Sequence, residues 1–174
     1  PFILLTTVNS VLQKIPSRQF IKKSLTLVSA GKVMDMHALI HKLILAGYIR
    51  TSTVLEPGEF AVRGGIIDLF SPGRMTPVRL DFFGTTLESI KSFDIETQRT
   101  HKHLTKIAIL PVSEVAFGEE ARSHFRRRYV ELFGGGTGND PVYEAISHGN
   151  RYQGQEHWLP LYHDCLETLF DYFD

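Results

Sequence analysis

Val78-Arg79-Leu80-Asp81-Phe82-Phe83 alternates side chains at the two-residue period of a β-strand. In such a strand Val78, Leu80 and Phe82 turn one way and suit a core under a helix. Arg79, Asp81 and Phe83 turn the other way. An arginine, a carboxylate and a large aromatic side by side on an outward face have the composition of a binding hot spot: the ring excludes water and the charges set orientation. Arg63 adds a second guanidinium if its strand neighbours this one, and Arg50 a third. Periodicity leaves a second reading open. In that reading Arg79 and Asp81 form an ordinary surface ion pair and Phe83 packs under a terminal loop.

Outward from this strand, short runs at Tyr48–Val54, Glu59–Arg63, Ile66–Phe70, Leu87–Phe93 and Leu104–Leu110 read as further strands. Pro57-Gly58, Gly64-Gly65, Pro72-Gly73 and Gly84 separate them as turns. Upstream, Asp35 is a good N-cap, Leu39, Ile40, Leu43 and Ile44 recur at helical spacing, and Gly47 follows as a terminator, so the pattern predicts a helix from Met36 to Ala46. Together these predict a small antiparallel sheet carrying one helix. Phe2–Val8 reads as a buried strand, Asn9–Ile15 as a short helix stopped by Pro16, and Ser24–Ser29 as a strand, a fragment of an α/β sheet. Downstream, Glu119–Phe133 reads as a helix and Gly134–Asn139 as a flexible connector. Asp140-Pro141 opens a helix ended by Gly149, His157–His163 reads as a strand, and Glu167–Phe173 as a helix start.

The 174 residues carry 19 Lys+Arg and 19 Asp+Glu, a formal net charge of zero, which argues against binding a polyanion by bulk charge. A lone cysteine, Cys165, cannot make an internal disulfide, and a disulfide-stapled scaffold is excluded. No apolar run approaches the roughly 18 residues of a membrane span. Pro1-Phe2-Ile3-Leu4-Leu5 has neither a basic region nor a small-residue cleavage site of a signal peptide. It also lacks Met, and the chain stops on an apolar segment at Asp174, which suggests a piece of a longer protein. No G-x-x-x-x-G-K-[ST] phosphate loop occurs, and the glycines from Gly134 lack the following Lys. Eight histidines, including His101, His103, His157 and His163, have no metal-ligand spacing, and no nucleophile elbow is present. The residues support neither a catalytic site nor a cofactor or metal site. Arg122, Arg126, Arg127 and Arg128 give one helix a basic face, either a solvated surface or a phosphate contact.

Gly58-Glu59-Phe60-Ala61-Val62-Arg63-Gly64-Gly65-Ile66-Ile67-Asp68-Leu69-Phe70, Pro77–Gly84 and Ser92–Thr100 resemble the UvrB-homology region of the bacterial transcription-repair coupling factors. Glu156–Tyr162 and Leu169–Phe173 fit the same family better than UvrB itself, so the resemblance covers nearly the whole chain. It implies an α/β architecture: a small antiparallel-sheet α+β domain 2 at 35–112, inserted in a partial helicase-like α/β domain 1. Residues 1–34 are then the end of domain 1a and residues 113–174 the start of domain 1b. It further implies a non-catalytic, cytoplasmic segment that recruits UvrA. The family displaces RNA polymerase stalled at DNA damage through motor domains that use ATP and Mg and engage double-stranded DNA, all outside this segment. Carried over by position, the UvrA contacts are Arg63, Arg79 and Phe83, with Arg50 and Asp81 matching further positions used by UvrB. One departure is Ala61, where UvrB has another arginine. The resemblance also implies that Arg79→Glu weakens UvrA binding without unfolding the chain. The competing expectation is a DNA-binding module acting through the Arg122–Arg128 helix.

Overall fold

A carboxylate placed just ahead of an i, i+3, i+4 apolar pattern should cap a helix, and Asp35 does: its Oδ1 accepts from the backbone N–H of His37 at 2.8 Å and of Ala38 at 3.2 Å. The structure is a computed structural model that describes residues 3–115, 117–135 and 140–173. In chain order these form α1 (Val8–Leu12), β1 (Ile15–Pro16), α2 (Arg18–Ser24), β2 (Thr26–Ser29), β3 (Lys32–Val33), α3 (Met36–Leu45), β4 (Ile49–Arg50) and β5 (Glu59–Arg63). There follow β6 (Ile66–Leu69), β7 (Val78–Phe83), β8 (Thr86–Phe93), β9 (Thr100–Leu104), β10 (Lys106–Ile109), α4 (Glu119–Phe133), α5 (Pro141–Ser147), α6 (Leu159–Tyr162) and β11 (Leu166–Glu167). The chain divides into two compact units, residues 24–113 and residues 1–23 with 114–174.

In the 24–113 unit the main sheet runs β3-β8-β7-β6-β5-β4, with β9 also on β8. Every pairing in it is antiparallel except β4–β5. β2 and β10 make a separate antiparallel pair. Leu39 and Leu43 of α3 pack with Phe60, Ile67, Leu69, Val78, Leu80 and Ile90 of the sheet, so the helix covers one face as its spacing predicts. Gly47 ends the helix at φ 94°, and a Cβ there would lie 2.8 Å from Ser113 Cβ, a place only glycine fits. Beside it, the Tyr48 hydroxyl donates to Leu110 O at 2.8 Å, and burial pushes its pKa up to about 12. Because the α3 cap satisfies two backbone donors, Asp35→Ala should cost about 1 kcal/mol in urea unfolding, whereas Asp35→Asn should be near neutral.

Three strand assignments differ from the sequence reading. Tyr48–Val54 shortens to β4, because the residues after Arg50 leave the sheet as a loop. Leu104–Leu110 shortens to β10, which joins β2. β9, reading Thr-His-Lys-His-Leu, forms at an exposed edge where no apolar alternation announces it.

In the other unit, α4, α5 and α6 gather Phe125, Tyr129, Ile146, Leu159, Leu161 and Tyr162 into a buried cluster. Asp140 caps α5, accepting from Val142 N at 2.8 Å and Tyr143 N at 3.1 Å. Three sequence expectations are corrected here. Residues 3–7 form no strand, and Ile3 and Leu5 lie exposed without a pairing partner; Phe2 lies outside the described residues. His157–His163 is not a strand but a 3-10 turn (Gln155–Trp158) followed by α6, where Pro160 sits in the first turn and its missing N–H is no loss. The expected helix start at Glu167–Phe173 is β11, paired with β1, followed by a 3-10 turn at Leu169–Tyr172. Most of the connector read at Gly134–Asn139, residues 136–139, lies outside the described residues.

Candidate protein-binding site

The register of four neighbouring strands fixes which side chains share the face opposite α3. One row across β5, β6, β7 and β8 is Ala61, Asp68, Arg79 and Lys91; the next is Arg63, Ile66, Asp81 and Ser89. Leu80 is fully buried under α3, while Phe83, at the end of β7, is 76% exposed. The alternation read from sequence is therefore the one the backbone adopts. A bulge between Asp81 and Phe82 opposes one step on β7 to two on β8 without turning Phe83 inward.

This face is not uniformly wet. Val54, Ala61, Phe70 and Phe93 form a second small buried cluster on it, with Ile95 packed alongside. The turn from Asp94 to Arg99 borders this cluster; Gln98 is held there at φ 58° and donates to Ile95 O at 2.7 Å. Arg79 stands at the cluster's edge. Its guanidinium carbon is 5.1 Å from the centre of the Phe93 ring, and its side chain is only 19% exposed.

The charge pairing also differs from the local one that the sequence suggests. Arg79 does not pair with Asp81. It grips Asp68 through Nε to Oδ1 at 2.7 Å and Nη2 to Oδ2 at 2.9 Å, a forked contact. Arg63 Nη2 donates to the same Oδ2 at 2.6 Å. Asp68 is wholly buried beneath the pair. The bonds to Asp68 raise the Arg79 pKa further above its ordinary value. Asp81 instead accepts from Lys91 Nζ at 3.0 Å and Ser89 Oγ at 2.9 Å. Partial burial disfavours its ionisation, but the bonds from Lys91 and Ser89 outweigh that and hold its carboxyl below the usual value.

The hairpin joining β5 to β6 brings Arg63 up to Phe82-Phe83. Gly64 takes φ 57°, and a Cβ on Gly65 would come within 2.7 Å of Phe82 O, so the two backbones touch there. Arg63, Arg79, Asp81 and Phe83 thus share one face. Arg50 does not join them: its register partner is Phe60, whose side chain packs with α3, so Arg50 sits at the edge of the opposite face. Asp68 is the residue that sequence reasoning passed over as a site residue. Its signal is a lone carboxylate inside the apolar run Ile66-Ile67-Asp68-Leu69-Phe70.

The basic helix face has a different character. Arg122 and Arg126 both bond Glu119, Arg126 at 2.7 Å, and Arg128 bonds Glu131 at 3.2 Å. Three of its four guanidiniums are therefore already matched by carboxylates. Among the described residues no three His, Cys, Asp or Glu side chains are grouped to hold a metal, and no helix is long and apolar enough to cross a membrane.

Residues 27–115 match the UvrB interaction domain family. Over 172 residues the chain is 36% identical to the transcription-repair-coupling factor of Haemophilus influenzae, with 98% of this chain covered. It is 33% identical over 172 residues to the factors of Rickettsia typhi, covering 99% of the chain, and Escherichia coli, covering 98%. In each comparison the chain spans 15% of the relative's length. The family match takes in every strand of the face just described and more than half of the sequence. The chain therefore belongs to the UvrB interaction domain family, and along nearly its whole length it is similar to one segment of the transcription-repair-coupling factors.

Proposed function

We propose that this chain is a non-catalytic docking segment of a transcription-repair coupling factor and that the face bearing Arg63, Arg79, Asp81 and Phe83 receives the excision-repair protein UvrA. One observation carries this reading: Phe83 stands 76% exposed beside oriented charges on a strand whose other face buries Val78 and Leu80 completely and Phe82 in part. An aromatic ring left in water next to anchored guanidiniums has a cost that a partner can remove by covering it. Residues 35–112 then correspond to domain 2 of the family, with 1–34 and 113–174 as the adjoining parts of domain 1. In the whole protein, polymerase displacement, ATP use and duplex DNA belong to other domains, and the setting is the bacterial cytoplasm. Arg50, on the opposite edge, contributes at most long-range attraction.

Calorimetric titration with purified UvrA tests the reading. Phe83→Ala should weaken binding by about 2 kcal/mol, roughly thirtyfold, as removal of a central aromatic anchor does. Unchanged affinity in a folded Phe83→Ala chain would remove this face from the interaction.

A further inference from the structure

We propose that Asp68 is the positioning residue of this docking face: a buried carboxylate that never meets the partner but sets the aim of the two arginines that do. The inference rests on the docking reading above. Asp68 is 0% exposed in the middle of β6, on a face where Arg63 and Arg79 bind its carboxylate, so no partner can reach it without displacing those side chains. Both of its oxygens are spent on guanidiniums. Oδ1 takes Arg79 Nε, and Oδ2 takes Arg79 Nη2 and Arg63 Nη2 together.

A buried carboxylate needs such partners to be tolerated at all. What matters here is that they arrive from two different strands. Arg79 is fixed by a fork and by Phe93, whereas Arg63 is held by one bond and keeps its other side turned to solvent, its side chain 51% exposed. The single carboxylate turns two long, flexible side chains into one plate of N–H donors with one surplus positive charge. Without it the guanidiniums repel each other and sample many rotamers. A partner carboxylate would then have to order them during binding, which costs affinity. Arginine's rigid planar fork is what lets a neighbour set its aim in this way.

The test is a mutant cycle on the 174-residue chain, titrated with UvrA. Asp68→Asn keeps the shape and removes the charge; it should weaken binding on the order of tenfold with an unchanged circular dichroism spectrum. Arg63→Ala should also weaken it, and the double variant should bind no worse than the weaker single one, because both changes disable the same plate. A residue that merely stabilises the sheet would give additive losses. Wild-type affinity in Asp68→Asn, or simple additivity in the cycle, overturns the proposal. If Arg63→Ala and Phe83→Ala both bind as tightly as the unchanged chain, the docking reading itself fails, a separate outcome. Should Asp68→Asn not fold, nitrogen relaxation of the arginine side chains in the unchanged, unbound protein decides. Restricted rotation at Arg63 and Arg79 is expected, and free averaging of both would overturn the idea.

Discussion

Arg79→Glu is expected to lower the unfolding free energy of the 24–113 unit by about 3 kcal/mol or more, the scale for breaking a buried ion pair. The sequence alone leads one to expect weaker UvrA binding from this change without unfolding of the chain; the ion pairing adds an expected loss of stability. The reason is Asp68. Two of the three hydrogen bonds that make its burial tolerable come from Arg79. A glutamate at position 79 removes both and sets a second negative charge on the register partner of the first. Arg63 is then the one arginine left on Asp68, and Lys91, the register partner of position 79 on β8, is already bound to Asp81. Urea unfolding followed by far-ultraviolet dichroism checks this; a loss under about 1 kcal/mol would mean that solvent screens the pair as it screens exposed ones. Loss of UvrA binding by this variant would then report misfolding as much as lost contact. Arg63 and Phe83 are the cleaner probes.

The second large effect is a contrast within one strand. Leu80→Ala should cost about 3 kcal/mol of stability, within the 2–5 of buried leucine truncations, because Leu80 is fully enclosed between sheet and α3. Phe83→Ala, three residues on, should change stability by less than about 0.5 kcal/mol, since the ring lies in solvent. Its effect should appear only in binding. The reverse pattern, a costly Phe83→Ala and a harmless Leu80→Ala, would mean that the strand is turned over, because a one-residue slip exchanges the faces.

The sheet and its helix were legible because local chemistry and global packing agree there. Asp35 and Gly47 bracket α3, glycine turns bracket β5 to β8, and alternation in β7 identifies both faces. The reading failed where an element gets its identity from neighbours. β9 is polar and exposed, and exists because β8 offers a free edge. Trp158-Leu159-Pro160-Leu161-Tyr162 has the apolar density of a strand, but α4 and α5 surround it and select a short helix. The run at residues 3–7 has strand-like composition but pairs with no strand among the described residues.

The site was legible to the same depth. Periodicity found the face and the exposed ring. It could not find the ion pairing, because Arg79 and Asp68 are eleven residues apart and meet only through the β6–β7 register. Proximity in sequence pointed to Asp81, which is bound by Lys91 instead. The half-covered character of the face was equally hidden, since Val54, Phe70 and Phe93 come from three separate places in the chain.

The shared carboxylate limits what a protein engineer could transplant. Grafting Arg63, Arg79 and Phe83 onto a foreign scaffold would carry over the side chains but leave their common anchor behind. The smallest portable cassette is β5, β6 and β7 with the Gly64-Gly65 hairpin intact, and a host would also have to supply something in place of Phe93 to wall in Arg79.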